Sequence, residues 1–420
     1  MHRTANYLGA LACLLLVPAA LVLAQGSGGI NAPSQRDKPY VILVSIDGFR
    51  WDYQSLYDTP ALDRIAAAGV RAEALVPVFP TLTFPNHYSI ATGLYPTNHG
   101  IVGNRFLDAD RTRRFTLTDR AAVGDGSWYG GEPVWVIAER QGMVAAAFFF
   151  VGTEAEVRGI RPTHWRRYNE AIEGATRVDQ ILAWLRLPEA ERPHVLTLYF
   201  EDVDTASHRH GVGSPLMIDA IERVDSYLIR LLDGIAALPH AGDVYTVIVS
   251  DHGQMNYRNA PPFVLADAVD LTGVRVEAHG SVAFLWFDTP DPVRAEAMCA
   301  TINDRWQHGQ AVVPGGAPQS WRLDNSPAWP DVIVQADAGY AVVTRPDDTT
   351  SSRGDHGWSP DERSMHGVFL AAGPRLPAGR RIGRIAAVDV YPLLLDILGL
   401  PAPDFVDGDA GMLVPLLESR

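Results

Sequence analysis

The chain has 420 residues, 47% of them hydrophobic, and a formal net charge of −14. That length and apolar content support a large core and exclude a chain that is disordered over most of its length. The acidic balance argues against a nucleic-acid polymer held as a stable partner along a basic groove, although bound cations can invert the local field around a small phosphorylated ligand.

From the start of the chain, residues 1–24 read as an export signal. Arg3 supplies a positive charge, residues 8–23 are apolar with Pro18 among them, and Ala24 offers a small residue for cleavage before Gln25. The apolar run is short for a membrane span, so the expectation is a periplasmic or secreted protein with no stable membrane anchor after cleavage. Residues 25–38, rich in Gly, Ser and Gln, read as a flexible leader. Cys13 falls in the signal, which leaves Cys299 without an intramolecular partner, buried and inert. Without cysteine ligands, any metal would be held by His, Asp and hydroxyl groups, a set suited to catalytic sites.

Short apolar runs without internal Gly or Pro follow at residues 41–46, 144–151, 195–200 and 244–250, and each reads as a strand buried on both faces of a parallel sheet. Helices are expected at 61–68, closed by Gly69, and at 86–92, closed by Gly93. Residues 214–237 carry helical periodicity through Ile218, Ile221, Val224, Leu228 and Leu231. This alternation implies an α/β protein with a doubly wound, mainly parallel sheet and helices on both faces. After Gly253 the texture changes. Residues 257–345 are Pro-rich, with strand-like runs at 282–287 and 332–334 and a helix at 295–306, and read as a smaller inserted subdomain. The catalytic core is then 39–256 and 346–420, resuming with a strand at 368–372 and a packing helix at 388–398.

Three of the strands run into groups that bind metals. Asp47 ends the first; Asp204 and His208, four apart, follow the third; Asp251 and His252 end the fourth. Ligands collect at the carboxyl ends of strands in such sheets, so these distant side chains are expected to meet at one edge. His356 lies between glycines in Gly354-Asp355-His356-Gly357. A nucleophile is offered by Thr81-Leu82-Thr83-Phe84-Pro85-Asn86-His87, where a hydroxyl lies just before a helix start and its positive dipole end. Composition alone leaves Thr81 and Thr83 open. An Asp/His set beside a hydroxyl suits two-metal displacement at phosphorus, and imidazole ligands favour zinc over magnesium.

At these residues the chain resembles the nucleotide pyrophosphatase/phosphodiesterase family of the alkaline phosphatase superfamily. The matching blocks are Ser45-Ile46-Asp47-Gly48-Phe49-Arg50, Thr83-Phe84-Pro85-Asn86-His87-Tyr88-Ser89, Asp204 with His208, Ser250-Asp251-His252-Gly253 and Gly354-Asp355-His356-Gly357, over residues 40–408. The resemblance implies an alkaline-phosphatase-like fold and two zinc ions per chain. It implies Thr83 as nucleophile; Asp47, Thr83, Asp251 and His252 as ligands of one zinc; and Asp204, His208 and His356 as ligands of the other. Asn104 is implied to donate to a phosphate oxygen, and Phe84 with Tyr168 to grip a nucleobase. The implied activity is hydrolysis of nucleotides and nucleoside phosphodiesters to nucleoside 5′-monophosphates through a phosphothreonine intermediate. One departure stands out: Phe150-Val151 replaces the Trp-Pro that many relatives carry. The competing readings are a phospholipid or choline-phosphoester phosphodiesterase on the same metals, and a periplasmic nucleotide-binding protein that does not cleave. His87 is expected to support the nucleophile helix. His99, His164, His194, His210, His240, His279, His308 and His366 are expected to be structural or exposed.

Overall fold

Uninterrupted Val, Ile and Leu runs form the middle of the molecule. The computed structural model describes residues 29–323, 328–348 and 352–417, so the expected signal peptide lies outside the described residues. In chain order the elements that matter to the site are β1 (Tyr40–Ile46), α1 (Pro60–Ala68), β2 (Val70–Ala72), α2 (Thr83–Thr92), α3 (Val134–Arg140), β3 (Ala145–Phe148), β4 (His164–Trp165), α4 (Gly174–Leu185), β5 (Val195–Phe200), α5 (Asp202–His210), α6 (Pro215–Ala236) and β6 (Val244–Val249). They are followed by β7 (Val274–Ala278), β8 (Val282–Phe287), α7 (Pro292–Arg305), β9 (Gly309–Val312), β10 (Val332–Ala336), β11 (Phe369–Ala372), β12 (Arg380–Ile382) and α8 (Val390–Leu398).

The main sheet has the order β12-β2-β11-β6-β1-β5-β3-β4. Its centre is parallel, and β11 runs antiparallel to both neighbours. Side chains of β1 alternate between two cores, as the strand period requires. Val41 and Leu43 pack with Tyr88, Ile90, Val136 and Leu394 of α2, α3 and α8. Ile42, Val44 and Ile46 pack with Ile65, Ile181, Ile221 and Leu228 of α1, α4 and α6. Burying each such side chain contributes about 1.5–3 kcal/mol, which holds the strand ends in place. Register then sets the site: Ser45 lies opposite Tyr199 on one side and Val249 on the other, so β1, β5 and β6 finish together. A second, antiparallel sheet of order β7-β8-β10-β9 is covered by α7, on which Cys299 is buried.

Three local expectations are corrected. The strand expected over 144–151 stops at Phe148, because Phe149 turns the chain with φ of 65°. The helix expected from Asn86 starts at Thr83, which puts the hydroxyl inside the first turn and Pro85 among positions that need no intrahelical N–H. Residues 29–38, part of the segment read as flexible, are anchored: Asn31 is fully buried, donates to the Glu189 and Arg192 carbonyls, and accepts from Val144 N–H. Among the described residues no helix is long and apolar enough to cross a membrane.

Candidate active site

The carboxyl edge of the sheet gathers what the chain scatters. Asp47, Asp251, His252 and His356 are buried there, with Asp204 and His208 on α5 beside them. Gly48 has φ of 69°, and a Cβ on it would come 2.8 Å from the Gln254 amide, so this turn requires glycine. Among the described residues three groups of side chains have ligand atoms within 4.8 Å of one another: Asp204, His252 and His356; His208, Asp355 and His356; Asp47, His87 and Asp251.

The histidines are oriented by one device. Nδ1 of His208 donates to the Gly354 carbonyl (2.9 Å), that of His252 to Gly253 (3.1 Å), and that of His356 to Thr81 (2.9 Å). Each Nε2 is thereby left to face the aspartates, the orientation typical of metal-ligating imidazoles. His252 Nε2 lies 3.1 Å from Asp251 Oδ2, 3.5 Å from Asp47 Oδ1 and 3.4 Å from Thr83 Oγ1. His208 Nε2 lies 3.3 Å from Asp204 Oδ2, and His356 Nε2 lies 3.9 Å from Asp204 Oδ1. Ligands about 2.0–2.1 Å from one tetrahedral ion stand about 3.3 Å apart, so these separations fit shared coordination. Asp47 Oδ1 and Asp251 Oδ2 are buried yet make no hydrogen bond, as expected of oxygens reserved for a cation. The rings of His252 and His356 stack at 3.7 Å, which sets the two ligand sets side by side. His87 touches the cluster but is held differently. Its Nδ1 donates to the Thr83 carbonyl (2.9 Å) while lying 3.2 Å from Asp251 Oδ2, and its Nε2 meets Ser45 Oγ (2.8 Å), so it braces the turn against the aspartate.

The electrostatics express crowding. Burial, then Asp251 and Asp204, push the Asp47 carboxyl well up. Burial would raise Asp204 as well, but His208, His356 and His252 hold it at about 2. Burial opposes charge on His208 and His252; Asp204 nevertheless lifts His208 to about 10, and Asp251 lifts His252 to about 9. Without cations the crowding is relieved by favouring protons on Asp47, His208 and His252, whereas divalent cations would neutralise the aspartates directly.

The two candidate hydroxyls separate by geometry. Thr81 Oγ1 is buried and donates to the Trp358 carbonyl (2.7 Å). Thr83 Oγ1 sits at the start of α2 and lines a cavity of about 300 Å³ together with Phe84, Asn104, Tyr168 and the Asp/His cluster. Asn104 Oδ1 accepts from Phe84 N–H (2.9 Å), which turns its NH2 group away from that backbone. Phe84 and Tyr168 are each half-buried, against Phe115 and Phe149 respectively. Phe149, Phe150 and Val151 form another part of the wall, so the segment that departs from the usual Trp-Pro touches the cavity directly.

The roles of several residues escaped the sequence reading, two of them, Asn86 and Asp355, inside the quoted motifs. Tyr199 donates to Asp47 Oδ2 (2.6 Å), and Gln254 Nε2 donates to Asp204 Oδ1 (2.6 Å). Asn86 accepts from Val78 N–H and donates to the Pro80 and Leu82 carbonyls, fixing the loop that delivers Thr83. Asp355, bonded by Tyr257 (2.6 Å), joins the second ligand group. Tyr199 sits at a strand end beside Asp47, and that adjacency was its only signal.

With this arrangement in view, the chain belongs to the type I phosphodiesterase / nucleotide pyrophosphatase family, whose model matches residues 41–359. It is 32% identical over 408 residues to venom phosphodiesterase 2 of Crotalus adamanteus, an alignment covering 94% of this chain and 49% of that protein. It is 30% identical over 400 residues to the Homo sapiens ectonucleotide pyrophosphatase/phosphodiesterase family member 1, covering 93% and 43%. The chain thus spans about half the length of the curated relatives it matches. Among solved structures, an inactive threonine-to-alanine variant of murine ectonucleotide pyrophosphatase / phosphodiesterase 5 in complex with AMP is similar at a TM-score of 0.84 and 27% identity, covering 91% of this chain and 100% of that one. The human counterpart gives 0.83 and 29%, over 90% and 100%.

Proposed function

We propose that this protein is a metal-dependent phosphodiesterase and nucleotide pyrophosphatase that releases nucleoside 5′-monophosphates, with Thr83 as nucleophile. The observation that carries the reading is Thr83 Oγ1 at the start of α2, 3.4 Å from His252 Nε2, in a cavity shared by the Asp/His cluster and the Phe84 and Tyr168 rings. The inactive threonine-to-alanine relative bound to AMP supports both nucleophile and ligand class.

Asp47, Thr83, Asp251 and His252 would hold one cation, and Asp204, His208 and His356 the other; the imidazoles favour zinc. Bound there, two cations supply Lewis-acid stabilisation of the attacking and leaving oxygens. The residues do the rest. Asn86 and His87 hold the turn that aims Thr83 Oγ1. Tyr199 keeps Asp47 in orientation. The Asn104 amide donates to a phosphoryl oxygen as charge develops. Phe84 and Tyr168 flank the base. Thr83 gives up its proton to solvent and forms a P–O bond as the bond to the leaving group breaks, its electron pair staying on the departing oxygen; water then adds to phosphorus, cleaves the phosphothreonine and returns a proton to the Thr83 oxygen. Residues 257–345 would act as an inserted subdomain walling the core of 39–256 and 346–420. Residues 1–24 would direct export, so N-terminal sequencing of the mature protein is expected to begin at Gln25.

The test is a panel of ATP, a nucleoside 5′-(p-nitrophenyl) phosphate and lysophospholipid, with and without chelator, on the purified chain. Chelator-sensitive release of AMP from ATP is expected. Faster lysophospholipid cleavage would transfer the site to lipid substrates. Tight nucleotide binding without turnover would make it a capture protein.

A further inference from the structure

A second cavity, of about 610 Å³, borders the Asp/His cluster at His208, Asp355 and His356. It shares Asn104, His208 and His356 with the Thr83 cavity, but Thr83, Phe84 and Tyr168 line only the first. In-line displacement sends the leaving group out opposite the attacking oxygen. A phosphorus held at Asn104, which lines both cavities, and attacked from Thr83, which lines only the first, has this second space open to its leaving group. The volume falls within the roughly 300–1,000 Å³ typical of ligand pockets.

The chemistry of its wall is set by a hairpin. Strands Arg105–Leu107 and Arg114–Thr116 pair antiparallel, with Arg105 opposite Thr116 and Phe106 opposite Phe115. Phe106 and Phe115 go to the core, so strand alternation turns Arg105 and Arg114 to the other face. There both guanidinium groups meet a single buried carboxylate, Glu277 of β7. Arg114 binds it in a two-pronged fashion (2.5 and 2.9 Å), and Arg105 Nε lies 3.4 Å away. Arg105 also donates to the Ala278 carbonyl. Two cations thus share one anion, and both are partly exposed on the cavity. The other carboxylates on the wall are already engaged: Asp348 accepts from Arg345 N–H, and Asp355 belongs to the metal cluster. Arg105 directly follows Asn104, so its cation stands one residue beyond the group assigned to the reacting phosphate.

We propose that this cavity is the leaving-group subsite, and that Arg105 and Arg114 make it selective for anionic, phosphate-bearing leaving groups such as the diphosphate of a nucleoside triphosphate. The inference rests on the phosphodiesterase reading above. When the P–O bond to the leaving group breaks, its electron pair stays on the departing oxygen, and the two guanidinium groups face the charge that the diphosphate carries away. A p-nitrophenolate leaving group has no phosphate to meet them.

The experiment compares kcat/KM for ATP and for a nucleoside 5′-(p-nitrophenyl) phosphate in the metal-loaded wild-type, Arg105→Ala, Arg114→Ala and Glu277→Gln proteins, with inhibition by inorganic pyrophosphate measured alongside. Losing one charge-assisted contact should lower the ATP value roughly tenfold or more, with the aryl ester changed less than about twofold and pyrophosphate inhibition weakened in parallel. Glu277→Gln frees both guanidinium groups and should move the ATP-to-aryl ratio the opposite way. Equal losses on both substrates, or an unchanged ratio in all three variants, would overturn the subsite. A wild-type protein that turns over neither substrate would instead overturn the phosphodiesterase reading on which it rests.

Discussion

Two kinds of histidine meet at the carboxyl edge of the sheet. His208, His252 and His356 hold Nδ1 on backbone carbonyls and turn Nε2 among aspartates. His99, beside α2, spends both ring nitrogens on hydroxyl or backbone groups, and His87, on α2, does the same while also bringing Nδ1 to 3.2 Å from Asp251 Oδ2. His99 accepts from Ile101 N–H (3.1 Å) and meets Ser89 Oγ (2.9 Å). Burial alone drives His99 down to about 3, whereas aspartates reverse the same penalty at His208 and His252. His356 is the instructive intermediate. Burial and the stacked His252 push it to about 3, so it belongs to the cluster by the direction of Nε2 and not by charge. Burial does not distinguish a ligand from a support; what the second nitrogen faces does.

The comparison can be broken by experiment, and the largest effect should come from the hydroxyl between the two kinds. Thr83→Ala is expected to lower turnover by at least ~10³-fold while metal content, read by elemental analysis, stays at the wild-type level, because Asp47, Asp251 and His252 would still hold that cation. Retained turnover would remove the assigned nucleophile. Next, His208→Ala should cost metal as well as activity, because it would leave the proposed second cation only Asp204 and His356, whereas His99→Gln should leave the metal stoichiometry unchanged. Equal metal loss in both would erase the distinction drawn here. Asn104→Ala should lower kcat by roughly 10²-fold, as loss of a preorganised donor to a developing oxyanion does. Phe84→Ala should weaken kcat/KM for nucleoside substrates by about tenfold, since base stacking contributes ~1–3 kcal/mol, and should spare a diester that lacks a base.

The smallest effect concerns acid stability. Below its ordinary value of 6.5, His99 takes up a proton in the unfolded chain that the folded core refuses until about 3. The unfolded state therefore binds more protons in that window, and stability falls as pH drops through it. His99→Gln should flatten the dependence of Tm on pH between those values without altering metal content. An unchanged slope would mean that other buried imidazoles, such as His194 and His366, carry it.

Much of the site was legible before folding. Apolar runs that end in Asp47, Asp251 and His252 announce a sheet edge, because a strand buried on both faces leaves its chemistry at its ends. The motif order carried the family, and the family match to residues 41–359 bears that out. The turn at Phe149 was not legible: a Phe run reads as strand, and only the wall it makes around the cavity gives its positive φ a reason.

Sequence by itself determined the inventory: the parallel core strands, the acidic and imidazole groups at their ends, and the threonine block. Tertiary structure decided the pairings. Ser45 register against Tyr199 and Val249 brings Tyr199 onto Asp47, Asn86 secures a loop it only partly belongs to, and Glu277 meets Arg114 across 163 positions of chain. The physical reason is that composition and period are local properties of a chain, while a hydrogen bond or ion pair exists only where packing brings its two halves within about 3 Å.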